Sequence, residues 1–175
     1  MKSADLTWPI AAESARCSLG STMIPRDLYA QIHSLMPILC VDVVIVNRGC
    51  VLLLKRSVEP LKGSWYFPGG RLHRGETVIE AAYRVVRQEC GISIGRPVFI
   101  GYEDQRYAAD PFGHKKGTRT VGLIFAASTM ADVAKIDGNH TSYGWFDVRS
   151  LERGIHEDAI VRLSASACGL VRDEE

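Results

Sequence analysis

Positions 85, 88 and 89, inside the segment GGRLHRGETVIEAAYRVVRQECGI (Gly69 to Ile92), have spacing that bears on chemistry. On an α-helix, residues at i, i+3 and i+4 share a face. Three carboxylates there would gather hard divalent cations, which prefer oxygen ligands. Only Glu89 supplies a carboxylate; Gln88 offers a neutral oxygen and Val85 none. The pattern therefore predicts one divalent cation rather than a cluster, with loss of metal binding as the alternative. Fewer metals change the reaction to expect. Water attack on phosphorus commonly relies on metal ions to activate the nucleophile and shield phosphate oxygens. Attack at carbon can instead use a separate protein base, with one cation neutralising a departing anion.

These residues need a scaffold, and the flanking sequence describes one. Thr77 to Cys90 is rich in helix formers, and Gly91 stands where a helix C-terminus is capped. Pro25 is suited to the first turn of a helix running to about Met36, with Asp27 favourable at that end and Pro37 as a stop. ILCVDVVIV, Ile38 to Val46, reads as a buried strand, returning through Asn47-Arg48-Gly49 into CVLLLKR, Cys50 to Arg56. Asp42 interrupts that apolar run, and a buried acid normally has donors around it. Val58 to Trp65 and WYFPGGRLHRGE read as loops. Further strands are expected at Pro97 to Tyr102, Thr120 to Ser128 and Tyr143 to Val148, and a last helix at Glu157 to Ser166. Glu103 to Arg119 reads as a long polar loop, in which His114, Lys115 and Lys116 either close over a phosphate or are simply solvated.

Composition sets outer bounds. The 175 residues are 46% hydrophobic and 23% charged with formal net charge +1, which suits one packed α/β domain. Nothing in the bulk charge calls for nucleic acid or an anionic membrane as partner. The five cysteines (Cys17, Cys40, Cys50, Cys90 and Cys168) include no C-x-x-C pair, so neither a zinc site nor a disulfide framework is indicated. No apolar run reaches the ~20 residues of a membrane span, and no signal peptide is evident; the expected location is the cytoplasm.

The segment from Gly69 to Ile92 resembles the Nudix box, G-x5-E-x7-R-E-U-x-E-E-x-G-U, with U aliphatic. Gly70, Glu76, Arg84, Val86, Glu89, Gly91 and Ile92 stand in register, while Val85 and Gln88 replace glutamates. This pattern of loss is similar to the GDP-mannose mannosyl hydrolase branch, over roughly Pro25 to Leu163. The resemblance implies a Nudix-type α/β/α sandwich with a mixed, partly parallel sheet, formed by residues 25–175 behind an extension of residues 1–24. It also implies a homodimer, one Mg2+ (or Mn2+), and a nucleotide-sugar substrate cut to GDP and free hexose with inversion.

Residue by residue, the resemblance makes Glu89 the retained metal ligand, Gly69 a metal ligand through its carbonyl, and Asn139 a third in place of a glutamine. His140 takes the general-base position, and a histidine's ordinary pKa near ~6.5 suits that role. Arg56 and Arg71 match arginines that contact the diphosphate, where a planar guanidinium can grip two oxygens. Asp42 matches an aspartate near the sugar and leaving group. Glu76 would pair with Arg84 to fix the loop on the helix. A histidine that assists leaving-group departure in the branch has no clear equivalent among Tyr102, Glu103, Asp104, Gln105 and Arg106. Two other readings stay open: a pyrophosphohydrolase of the same fold, and a nucleotide-binding module without activity.

Overall fold

The computed structural model describes residues 24–133 and 135–147. The expected final helix, most of the N-terminal extension, Cys17 and Cys168 lie outside them.

Helix α1 is Arg26–Leu35. Pro25 sits just outside the helix rather than in its first turn, in extended conformation, and its carbonyl accepts the first helical hydrogen bond from the Tyr29 N–H at 2.9 Å. Met36 is extended, as a residue before proline tends to be, and closes the helix.

Strand β1 (Ile38–Asn47) runs down the middle of the sheet. Its side chains alternate between two apolar layers. Val41, Val43 and Ile45 join the cluster beneath the box helix; Val44 joins the other with Val51, Leu53, Phe67 and Ile124. Burial on both faces explains why β1 is nearly all apolar rather than alternating.

β1 pairs in parallel with β6 (Thr118–Ser128) and β6 pairs antiparallel with β5 (Val98–Tyr107). On its other side β1 meets β2 (Cys50–Arg56) only near the turn, at Val46–Val51 and Asn47–Cys50. Beyond that the two strands part. β3 (Trp65–Tyr66) pairs with β2, β4 (Gly69–Arg71) pairs with β1, and Phe67-Pro68 cross the fork between them. The stretch expected as pure loop thus contributes two short strands, because the fork exposes backbone groups that must be paired. β7 (His140–Asp147) pairs antiparallel with β2.

Helix α2 (Val78–Cys90) carries the box. Thr77 and Glu80 form a reciprocal capping box at its start, and Gly91 closes it in left-handed conformation (φ 67°). Its buried residues Ala81, Ala82, Val85 and Val86 lie on one sheet face. The result is an α/β sandwich built on a mixed sheet, matching the expected class.

β5 departs from expectation at its C-terminal end. It continues through Glu103 to Tyr107, and the intervening loop shrinks to residues 108–117. The alternation is visible once paired: Tyr102, Asp104 and Arg106 are exposed while Gln105 is buried.

Candidate active site

A cavity of about 420 Å³ opens where β1, β6 and β5 end beside α1 and the 108–117 loop, and Asp42, Arg56, Gly69, Arg71, Glu89 and Asn139 all line it. Ile38, Cys40 and Asp42 reach it from alternate positions of β1, the face opposite α2. Glu89 belongs to the helix on the other face and meets the cavity at the fork, where its Oε2 accepts the Gly69 N–H at 3.0 Å.

The box loop is fixed by one arginine. Arg84 donates from Nε and Nη2 to the two oxygens of Glu76 (2.8 and 2.6 Å), and Nη2 also reaches the Arg71 carbonyl at 2.9 Å. Glu76 in turn accepts the His73 N–H at 2.6 Å. The Arg84 hydrogen bonds hold the Glu76 carboxyl below its usual range. This bidentate pair ties the loop carrying Arg71 to the helix carrying Glu89.

The other two box positions do not face the cavity. Val85 is 2% exposed in the core, and Gln88 is exposed with its amide oxygen taken by Arg84 Nη1 at 3.0 Å. Among the described residues no three His, Cys, Asp or Glu side chains converge as a metal-binding set. Glu89 is therefore the helix's sole acid at this corner. Burial pushes its carboxyl up to about 8; the Gly69 N–H and Arg56 work against this, and Asp137 and Asp42 add to it. A site with more negative groups than counter-charges suits a divalent cation, which would replace the missing positive charge. Glu89, Gly69 and Asn139 all line the cavity and could supply oxygens to such a cation.

Arg56 ends β2 and is braced by its Nε, which donates to the Pro60 carbonyl at 2.7 Å. The Arg71 guanidinium lies 4.4 Å from the centroid of the Tyr29 ring, a cation–π contact that anchors it to α1. Asn139 turns its amide nitrogen to Asp137 Oδ2 at 3.0 Å.

His140 is opposite Arg56 in the β2–β7 register, but its side chain is 1% exposed and does not line the cavity. Its Nδ1 bonds Asp137 Oδ1 at 2.6 Å. Burial lowers its pKa, the Asp137 hydrogen bond and charge oppose that, and Arg56 adds to it. Asp137 was missed in the sequence, although an acid three residues before a histidine is a readable signal.

The far wall was missed as well. Gln105, 6% exposed, donates its Nε2 to the Tyr66 hydroxyl and toward Glu103 Oε2 at 3.4 Å, and its Oε1 accepts from Thr120 at 2.7 Å. Tyr66, Gln105 and Thr120 all line the cavity.

In the 108–117 loop Lys115 and Lys116 are exposed, while His114 and Asp110 are held by the protein itself. The Asp110 carboxylate accepts four backbone N–H groups, from Phe112, Gly113, His114 and Lys115. His114 Nε2 lies 2.7 Å from His33 Nδ1, fastening the loop to α1, and Phe112 packs edge-on against Tyr29 at 5.3 Å.

Comparison with known proteins bears on the fold and the family. The family model described as NUDIX domain matches residues 36–164. Low-salt glycan biosynthesis protein Agl8 of Haloferax volcanii is 29% identical over 127 residues, 73% of this chain and 81% of that protein. ADP-ribose pyrophosphatase of Methanocaldococcus jannaschii is 29% identical over 128 residues, 73% of this chain and 72% of its own length. The crystal structure of a MutT NUDIX hydrolase from Burkholderia pseudomallei superimposes with a TM-score of 0.64 at 26% identity, covering 74% of this chain and 98% of that one.

Proposed function

Because this chain belongs to the Nudix hydrolase family, we propose that it hydrolyses a nucleoside diphosphate sugar of the GDP-mannose kind to the nucleoside diphosphate and free hexose. The observation that carries this reading is the solitary carboxylate at the cation corner. With Val85 in the core and Gln88 turned to Arg84, Glu89 stands alone on the helix face, beside Arg56, Arg71 and Asp42. That donor set suits one cation and a diphosphate leaving group. A relative bearing the name of a glycan biosynthesis protein is in keeping with a sugar-linked substrate.

In this reading Glu89, Gly69 and Asn139 hold one Mg2+ or Mn2+, which when bound neutralises charge on the diphosphate. Arg56 and Arg71 grip the same diphosphate oxygens, stabilising charge that grows as the bond breaks. The water oxygen forms a bond to the anomeric carbon. The carbon–oxygen bond to the diphosphate breaks, and the electron pair leaves with the nucleoside diphosphate. His140, held at Nδ1 by Asp137, is the base this reading requires, and its buried ring must open to the cavity to take the water proton. Nucleic acid and membrane have no part in this chemistry, and a homodimer through the α1 region remains our expectation for the assembly.

A second reading has its own support. The His140 ring is almost wholly buried and does not line the cavity, which favours attack at phosphorus, and one relative carries the name ADP-ribose pyrophosphatase. The two are separated by turnover of GDP-mannose with Mg2+ in 18O-labelled water. Label in free mannose with unlabelled GDP supports attack at carbon. Label in a nucleotide or sugar phosphate replaces that reading with pyrophosphohydrolysis.

A further inference from the structure

Gln105, Thr120 and Tyr66 line one wall of the cavity with uncharged hydrogen-bonding side chains, backed by the Glu103 carboxylate. Buried polar side chains are costly unless each is matched, and here they are matched to one another in a defined order. Glu103 is an acceptor when ionised, so its approach to Gln105 at 3.4 Å fixes which end of the amide carries the nitrogen. The amide oxygen then faces the Thr120 hydroxyl at 2.7 Å and the nitrogen faces the Tyr66 hydroxyl. Tyr66, at 6% exposure, also borders the apolar layer of Val44, Leu53 and Phe67, where a phenylalanine would satisfy packing alone.

Gly122 joins this network to Asp42. A Cβ at 122 would stand 2.8 Å from Asp42 Oδ2 and 4.0 Å from Gln105 Oε1, so the bare α-carbon lets the carboxylate sit against β6 on the side of the amide. Arg56 ends β2 and Arg71 ends β4 on one side of β1, while the Gln105 amide and the Thr120 hydroxyl come from β5 and β6 on its other side, with Asp42 on β1 between them.

We propose that Gln105, Tyr66 and Thr120, continuous with Asp42 across Gly122, form a subsite that recognises the hydroxyls of a polyhydroxylated group attached to the diphosphate. Each sugar hydroxyl is both donor and acceptor, and this wall offers both roles without a competing cation. A phosphate placed here would face the carboxylates of Asp42 and Glu103. The inference rests on the nucleoside diphosphate sugar reading and specifies which residues select the sugar.

The test titrates GDP and GDP-mannose into the full chain in EDTA, which suppresses turnover, and into the variants Gln105→Leu and Tyr66→Phe. The wild-type protein should bind GDP-mannose more tightly than GDP. Each variant should lose about tenfold for GDP-mannose, the worth of one lost hydrogen bond, while affinity for GDP stays within about twofold. Tyr66→Phe is nearly isosteric and guards against a folding defect, which melting curves would report. Equal losses for both ligands, no loss for either, or wild-type binding no tighter for GDP-mannose than for GDP would overturn the subsite. Hydrolysis in labelled water is scored separately. The subsite stands if sugar-dependent binding persists without turnover at carbon, and it falls if turnover occurs with binding indifferent to these residues.

Discussion

The carboxylate of Asp42 is seated against the α-carbon of Gly69, its cross-strand partner in the β1–β4 ladder, so closely that a Cβ at position 69 would overlap Oδ1. The Gly69 N–H is meanwhile bonded to Glu89 at 3.0 Å. One residue without a side chain therefore lets the acid of the central strand and the acid of the box helix share a corner.

Replacing Gly69 with alanine should displace Asp42 or β4. Overpacking of this kind costs about 1–3 kcal/mol, and the displaced strand also carries Arg71. The expected result is a lower urea midpoint together with a fall in kcat. An alanine variant with wild-type stability and turnover would show that the corner tolerates the displacement.

Glu89→Gln should separate metal use from folding. Its carboxyl is pushed up to about 8 by burial, above an unfolded value near ~4.3. A raised acid contributes stability below the unfolded value and loses it as pH rises through the folded one. In EDTA at pH 8.5 the glutamine variant should therefore melt higher than wild type. With Mg2+ its turnover should fall about 100-fold or more. A variant that melts lower in EDTA would contradict the charge argument.

Arg84→Met removes both bonds to Glu76 and the bond to the Arg71 carbonyl. Since both side chains retain some exposure, the loss expected is about 2 kcal/mol, below that for a fully buried pair. Arg71 also loses its brace, so affinity for GDP should weaken in calorimetry. Unchanged GDP binding would mean Arg71 is held by Tyr29 alone.

His33 has its pKa lowered by burial first, then by His114, with Asp110 opposing. A histidine depressed in the folded state stabilises it above the unfolded value of ~6.5, and that contribution is lost as pH falls below it. The urea midpoint should drop between pH 7.5 and 5.5, and His33→Gln should drop less. Burial lowers His73 and His140 as well, so the variant keeps part of the slope. Identical slopes in the two proteins would remove His33 from the account.

If His140 is the base, kcat should decline with acid below the ordinary histidine range, since burial lowers its pKa. The Asp137 charge works the other way, so Asp137→Asn should move that limb to still lower pH while reducing kcat through lost orientation. A limb unmoved by the substitution would point to another base.

The box helix and its loop were legible in the chain because their determinants are contiguous. Thr77, Glu80 and Gly91 act within a turn or two of the residues they cap, and 85, 88 and 89 share a face by helical geometry alone. β1, β2 and β6 announced themselves through runs of apolar residues, largely β-branched in β1. Gln105 did not, because a strand face lining a cavity is polar on both sides and loses the alternation that betrays a half-buried strand. β3 and β4 were hidden for a related reason: two or three residues have no period, and only the parting of β1 and β2 makes them strands. Arg71 on Tyr29, Gln105 on Tyr66, and the approach of Asp42 to both Gly69 and Gly122 depend on how distant elements pack and in what register strands pair. Local sequence thus determined where the helices and the longer strands lie, though not where β5 ends, and which residue types could do chemistry. Only long-range pairing decided which of those side chains meet, because the contacts join residues whose separation along the chain carries no signal of their distance in space.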